Sequence, residues 1–135
     1  MDEDVDLDDL VARAKAARDR AYAPYSRFLV GAAVATDAGT FDGANVENAS
    51  YGLSICAERV AAATGVAAGA RRIIAIAVTS SASGPTAPCG ACRQFLHEFN
   101  PDMVVVCQGG DGERRRWRLS ELLPDAFGPD ELQGP

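Results

Sequence analysis

The sequence predicts an α/β fold in which helices cover both faces of a five-stranded sheet. Segments typical of helices alternate with segments typical of strands along the 135 residues. Two of the strand segments, residues 73–79 and 103–107, are almost entirely apolar, as expected for strands buried on both faces. Hydrophobic residues make up 47% of the chain, which is enough for one core.

The first half of the chain predicts a helix, a hairpin and a second helix. Apolar residues recur at helical spacing from Leu7 to Ala21, and this helix should end at Ala23, because the residue before Pro24 avoids the α region. The alanine-rich segment after the hairpin contains no proline, which favours a helix. The predicted elements are a helix ending at residue 23, strands at 28–36 and 40–47 around a turn at 37–39, and a helix at 55–68.

The second half predicts a central strand followed by alternating helix and strand. The β-branched residues from Ile73 to Thr79 are typical of a central strand. Pro101 should end the helix that precedes the next strand. The predicted elements are a strand at 73–79, a loop at 80–88, a helix at 89–99, strands at 103–107 and 114–119, and a short helix at 119–123.

The chain is interpreted as one domain spanning residues 1–135, with residues 1–9 and 130–135 at its periphery. The formal net charge of -6 disfavours a nucleic-acid partner, because an acidic surface repels phosphates. The basic run at 114–118 surrounds Trp117 and is interpreted as a strand edge or subunit contact rather than as a single-strand stacking surface. No apolar run reaches the ~20 residues of a membrane span, and the acidic N-terminus is unlike a secretory signal. We therefore expect a cytoplasmic protein without a membrane partner.

Three of the four cysteines stand where predicted helices begin. Cys56 opens the second predicted helix, and Cys89 and Cys92 stand at the start of the third. A helix N-terminus lowers the pKa of a thiol and favours the thiolate, which is the form that binds metal. In a reducing compartment these cysteines indicate metal binding or catalysis before disulfides.

Three protein ligands would leave one position of a tetrahedral zinc site open for water, which is the pattern of a catalytic zinc. Three thiolates carry more negative charge than zinc neutralises, so we expect Arg59 to donate a hydrogen bond to one sulfur. Glu58 stands two residues after Cys56 and is the candidate proton carrier. A glutamate in a first helical turn is, however, also favoured by the helix dipole alone.

Other interpretations of the cysteines stay open from the residues alone. The Cys89-x-x-Cys92 pair has the form of a thioredoxin-like redox pair, although such a pair normally follows the first strand. Cys107 lies in an apolar strand and is interpreted as a small buried hydrophobe. As a fourth ligand it would close the site and leave a non-enzymatic zinc module. His97 is expected on an outer face of its helix.

Five sequence motifs follow one another along residues 21–129. They are Ala23–Ala32, Asn45–Gly52, Cys56–Arg59, Pro88–Gln94 and Leu122–Pro129. Together they resemble the small zinc-dependent cytidine deaminases of the cytidine/deoxycytidylate deaminase superfamily. The resemblance implies a three-layer α/β/α sandwich with a mixed five-stranded sheet.

The resemblance also implies a role for each matching residue. The physical pattern agrees in part: Asn45 and Glu47 stand two apart on a predicted strand and so point to the same face. A solvated strand face is the alternative for these two residues, and core packing is the alternative for Phe28. The implied site comprises Cys56, Cys89 and Cys92 as zinc ligands, Glu58 as proton shuttle, Phe28 against the pyrimidine ring, Asn45 and Glu47 on the ribose hydroxyls, Ala57 through its backbone at the base, and Tyr51 and Phe127 in a site shared between subunits.

The activity implied by the resemblance is the hydrolytic deamination of cytidine and deoxycytidine to uridine and deoxyuridine plus ammonia, by a zinc-bound hydroxide, in pyrimidine salvage. It implies one Zn²⁺ per subunit, a pyrimidine nucleoside as the small-molecule partner, and a homotetramer. A modified cytosine nucleoside or another base stays open as the substrate within the same fold. Deamination of polynucleotides is disfavoured by the net charge.

Overall fold

The computed structural model describes residues 4–133. The elements follow the predicted order, with one further helix near the C-terminus. The helices are α1 (Leu7–Arg18), α2 (Ala57–Ala67), α3 (Gly90–His97), α4 (Leu119–Leu122) and α5 (Pro129–Gln133), and Tyr51–Leu53 form a short 3-10 turn. The strands are β1 (Val30–Thr36), β2 (Gly39–Ala44), β3 (Ile73–Ser80), β4 (Val104–Gln108) and β5 (Arg114–Arg118).

The strands form one sheet in the order β2-β1-β3-β4-β5. β1 and β2 form a tight antiparallel hairpin, in which Thr36 pairs with Gly39. β3 and β4 are parallel and are joined through α3, whereas the β1–β3 and β4–β5 pairs are antiparallel. The predicted mixed five-stranded sheet is therefore confirmed.

Helices pack on both faces of this sheet. On β3, Ala75 and Ala77 face α1 and contact a core that includes Leu10, whereas Ile76 and Val78 face the core that α2 and α3 cover. This alternation follows from the two-residue period of a strand. The predicted three-layer α/β/α sandwich is confirmed.

The first helix is shorter than predicted, because it ends at Arg18 rather than at Ala23. After a turn the chain becomes extended at Tyr22, whose N–H donates to the carbonyl oxygen of Asn45 at 2.9 Å. The carbonyl oxygen of Tyr22 accepts from the N–H of Glu47 at 2.8 Å. These backbone bonds to a distant segment override the local helical pattern.

The hairpin strands are also shorter than predicted. β1 begins at Val30 rather than at residue 28, and β2 ends at Ala44 rather than at residue 47. Beyond β2, Val46 forms single bridges to Tyr22 and Ile55, so this segment joins three parts of the chain instead of extending the hairpin.

The two chain ends were predicted to be peripheral, and residues 1–3 and 134–135 of those ends lie outside the described range. α5 and the 3-10 turn have no counterpart among the predicted elements. Within residues 4–133 no helix is both long enough and apolar enough to cross a membrane.

α1 packs closely against β1 at Gly31, where an added Cβ would lie 2.0 Å from the carbonyl oxygen of Ala14. We expect Gly31→Ala to displace α1 and to lower the free energy of unfolding by about 1–3 kcal/mol or more. Denaturant unfolding measures this change. Gly52→Ala is the matched control, because nothing lies within 4 Å of its added Cβ. Equal stability of the two variants would contradict the close packing.

Candidate metal centre and active site

The N-termini of α2 and α3 bring three cysteines together. Cys56 is the N-cap of α2 and Cys89 is the N-cap of α3, and both have extended backbone, so each helix begins one residue later than its cysteine. Cys92 lies in the first turn of α3 and is buried. The three sulfur atoms all lie within 4.8 Å of one another.

The geometry and chemistry of this cluster fit a zinc ion. With Zn–S bonds of about 2.3 Å, tetrahedral sulfur ligands stand about 3.8 Å apart. The sulfurs of Cys56 and Cys89 are 3.8 Å apart. Within residues 4–133 no histidine, carboxylate or further cysteine joins the group, and Cys107 is buried in β4 outside it. The described chain thus offers three ligands, which is the pattern of a catalytic zinc site rather than a closed structural one.

The sulfurs of Cys56 and Cys92 differ in the negative charge that they carry. The pKa of the Cys56 thiol is lowered to about 5, first because Cys92 donates a hydrogen bond to it and second because Arg59 does. The same contact raises the pKa of Cys92, whose proton is held against the Cys56 thiolate. A thiolate at Cys56 attracts a divalent cation, and binding of the cation releases the proton of Cys92.

Arg59 lies beside the cluster, with its Nη2 3.7 Å from the sulfur of Cys56, to which it donates. Metal sites commonly lose affinity when a ligand loses such a partner. We expect Arg59→Gln to weaken zinc binding by about 10–100-fold. Competition against a chromophoric chelator at fixed pH measures the affinity.

The matched control for this variant is Arg72→Gln, which removes an equal charge from an exposed position before β3. The control should bind zinc as tightly as the wild type. An unchanged zinc affinity in Arg59→Gln would contradict a role for Arg59 in stabilising the thiolate.

Glu58 lies in the first turn of α2 and is only 5% exposed. A glutamate that served the helix dipole alone would lie in solvent, so burial argues against that simpler interpretation. Burial first, and then the nearby Cys56 thiolate, raise the pKa of Glu58 to about 7, whereas its own backbone N–H and Arg59 oppose the shift. A carboxyl group that titrates near neutrality is able both to accept and to release a proton at physiological pH.

A cavity of about 250 Å³ opens beside the sulfurs. Its walls include Cys56, Cys89, Glu58 and the helix-opening residue Ala57. Phe28 is 39% exposed and lines this cavity, so it does not pack in the core. Further lining residues come from separate segments that no local pattern connects, and they were therefore not predicted: Val30, Ser54, Ile55, Val78, Ser80, Thr86 and Ala87.

Asn45 lines the cavity and also forms hydrogen bonds to the backbone of the segment that carries Phe28. Its Oδ1 accepts from the N–H of Val30 at 2.9 Å, and its Nδ2 donates to the carbonyl oxygen of Phe28 at 2.8 Å. An amide side chain offers two donors and two acceptor positions, so one of each stays available for a ligand. Asn45 is buried, so it does not lie on a solvated strand face.

Glu47 lines the same cavity and is held by the segment before β1. Its carboxylate accepts from the backbone N–H groups of Tyr25 at 3.0 Å and Ser26 at 3.1 Å, and also from the hydroxyl of Ser26. These bonds, the Ser26 hydroxyl first, lower the pKa of Glu47 and keep the carboxylate ionised. Sequence reasoning missed Ser26, whose only signal was its position inside the first motif.

Tyr51 and Phe127 do not line the cavity of their own chain. Tyr51 is 74% exposed. It lines a neighbouring pocket that shares Glu47 and Ser54 with the cavity. Phe127 is 56% exposed, and its carbonyl oxygen accepts from Nε2 of Gln94 at 2.8 Å. Both side chains are therefore accessible for contact with another molecule.

The prediction that His97 lies on an outer face is wrong. His97 is half-buried, and a Cβ added to Gly128 would lie 2.8 Å from its Nε2. Its Nδ1 is buried and has no hydrogen-bond partner among residues 4–133. The segment after Phe127 packs over the C-terminal end of α3. The helical periodicity of α3 does not predict this contact.

Comparisons with known proteins find relatives that match most of the chain. The family model described as the cytidine and deoxycytidylate deaminase zinc-binding region matches residues 5–108. Curated relatives named cytidine deaminase include that of Sporosarcina psychrophila, 42% identical over 95% of this chain and 96% of the relative. Another, from Halalkalibacterium halodurans, is 46% identical over 91% of this chain and 95% of the relative.

The fold is likewise similar to solved structures. The crystal structure of cytidine deaminase from Burkholderia pseudomallei is 51% identical, has a TM-score of 0.87, and covers 91% of this chain and 100% of that one. The family match and the three-sulfur cluster support one zinc ion per subunit as the cofactor. On the length and identity of these matches, the chain belongs to the cytidine and deoxycytidylate deaminase family.

Proposed function

We propose that this chain is a zinc-dependent hydrolase that converts cytidine or deoxycytidine and water into uridine or deoxyuridine and ammonia. The observation that carries the proposal is the three-sulfur cluster beside one cavity of about 250 Å³, whose walls include Cys56, Cys89 and the buried Glu58. The relatives named cytidine deaminase support the same substrate class. The cavity suits a neutral nucleoside, because it combines an aromatic face with a few polar groups.

The three cysteines would hold the metal, and Glu58 would move the protons. A zinc ion bound there supplies Lewis acidity that lets water react at neutral pH. Glu58, whose pKa is raised to about 7, accepts a proton from water and gives it to ring N3 of the base. Carbon C4 then becomes electrophilic and gains the water oxygen. Glu58 then takes a second proton, from the new C4 hydroxyl group, and gives it to the amino nitrogen. The C4–N bond breaks, the C4 carbonyl forms, and ammonia leaves.

The nucleoside itself would be held by residues on the other walls of the cavity. We assign Phe28 to the face of the pyrimidine ring and the backbone at Ala57 to the edge of the base. Asn45 and Glu47 would bind the ribose hydroxyls. The lowered pKa of Glu47 supports this role, because an ionised carboxylate is a strong acceptor for a hydroxyl group.

An ammonia-release assay on the zinc-loaded protein tests the proposal. Cytidine and deoxycytidine should both be deaminated, whereas free cytosine and guanine should react poorly because they lack the ribose that Asn45 and Glu47 bind. Release from guanine alone would indicate another substrate class. A redox-active Cys89/Cys92 pair without stoichiometric zinc would instead indicate a dithiol oxidoreductase.

We further propose a cytoplasmic homotetramer of single-domain subunits, spanning residues 1–135, with active sites shared between neighbours. The exposure of Tyr51 and Phe127, at 74% and 56%, supports a shared site. Subunit mixing tests it: Glu58→Gln and Phe127→Ala proteins, each weakly active, should regain activity when their subunits exchange. Sedimentation of the mixture establishes the subunit number. Mixed assemblies that gain no activity would contradict shared sites.

A further inference from the structure

A second cavity, of about 110 Å³, lies on the α1 side of the sheet. Lys15 and Arg18 of α1 line it, together with Thr79 of β3, Gln108 of β4 and glycines of the loop that follows β4. Side chains alternate along β3, so Thr79 faces this cavity while its neighbours Val78 and Ser80 line the cavity beside the sulfurs. The second cavity is therefore separate from the candidate active site, although the same strand end borders both.

The charged groups on this cavity are cations. None of its lining residues is acidic. The ammonium group of Lys15 makes no hydrogen bond or ion pair with any residue between 4 and 133. One N–H of Arg18, on Nη1, donates to the carbonyl oxygen of Ser80 at 2.8 Å, which leaves other guanidinium N–H groups for a ligand. The cavity thus concentrates positive charge on a chain whose net charge is -6.

Neutral hydrogen-bond donors also line the cavity. The hydroxyl oxygen of Thr79 is buried, in a residue only 2% exposed, and has no hydrogen-bond partner among the described residues. Buried polar groups normally have a partner, so this hydroxyl indicates a ligand or water in the cavity. The side-chain oxygen of Gln108 accepts from Nε of Arg114 at 3.1 Å. The amide nitrogen of Gln108 therefore keeps its hydrogens for another acceptor.

We propose that this cavity binds a tetrahedral oxyanion, of which inorganic phosphate is the simplest. Cationic donors from α1 and neutral donors from β3 and β4 converge on it, and an oxyanion has several acceptor oxygens to match them. A volume of about 110 Å³ has room for several waters or for one small oxyanion. The ligand class is a phosphate group, either free or at the end of a phosphate monoester.

Calorimetric titration of the zinc-loaded protein with inorganic phosphate at constant ionic strength tests the proposal. We expect saturable binding with one phosphate per subunit. Lys15→Gln and Thr79→Val should each weaken it by about tenfold, because each removes one hydrogen bond to a charged ligand. Arg72→Gln is the matched charge control, since Arg72 precedes the opposite end of β3, and it should bind phosphate as the wild type does.

Thermal unfolding without phosphate checks that Thr79→Val is folded, and the exposed Lys15 makes Lys15→Gln an independent test. The same phosphate affinity in the wild type and all three variants would overturn the site. Heats of titration that never saturate would also overturn it, because they would mean that only water fills the cavity. Glycerol 3-phosphate distinguishes the two ligand sources. Binding as tight as that of phosphate supports a monoester, and weaker binding supports the free anion.

Discussion

Glu58→Gln should lower kcat for cytidine by at least about 10²–10⁴-fold, the range typical of a positioned proton carrier, while zinc stays bound. Glutamine has nearly the same shape as glutamate but cannot accept a proton and release it again. Glu58 is buried on the cavity wall and does not belong to the three-sulfur group, so its replacement should leave the metal ligands intact. Steady-state kinetics and zinc analysis of the same preparation measure both quantities.

The matched control for this prediction is Glu98→Gln, which changes an exposed glutamate at the C-terminal end of α3. That variant should keep wild-type kcat. Wild-type turnover in Glu58→Gln would remove Glu58 from the mechanism. Loss of zinc from Glu58→Gln would mean that the carboxylate is part of the metal site instead.

Cys92→Ala should abolish both zinc binding and deamination. Two sulfurs would remain, and Cys92 would no longer donate the hydrogen bond that most strongly lowers the pKa of Cys56. Cys92 is fully buried, so the alanine also leaves a small void and lowers the free energy of unfolding by about 1–2 kcal/mol. Elemental analysis of the purified variant gives the zinc content, and Cys89→Ala, at an exposed position, repeats the test without the void.

Cys107→Ala is the control for both cysteine variants, because it removes an equally buried thiol that lies outside the cluster. Burial raises the pKa of Cys107 to about 12, so this thiol stays protonated and is a poor ligand. We expect full zinc content and activity in Cys107→Ala. Undiminished zinc in Cys92→Ala, or lost zinc in Cys107→Ala, would contradict the ligand set.

Local sequence signals predicted most of the fold and the metal centre. The strands β3 and β4 are apolar and rich in β-branched residues, which favours buried strands. The helix starts at Cys56 and Cys89 have cap residues with extended backbone. A cap residue directs its side chain toward the first turn of its helix. The sequence could therefore place the cysteines at two helix starts, whereas their meeting in one cluster is shown by the structure.

The errors arose where distant segments decide local structure. The backbone of Tyr22 pairs with residues beyond β2, which ends α1 early, and no helical pattern contains that information. The burial of His97 depends on the C-terminal segment folding over α3. Asn45 likewise has two roles, because it forms a hydrogen bond to the Phe28 segment and lines the cavity. Both roles depend on contact between segments that are distant in sequence.

X-ray absorption at the zinc edge of the wild-type protein tests the central claim most directly. If Cys56, Cys89 and Cys92 hold zinc and leave one position for water, the spectrum contains three sulfur neighbours at about 2.3 Å and one oxygen at about 2.0 Å. Four sulfur neighbours would mean that the protein closes the site, and the proposed chemistry at Glu58 would then have no place to occur.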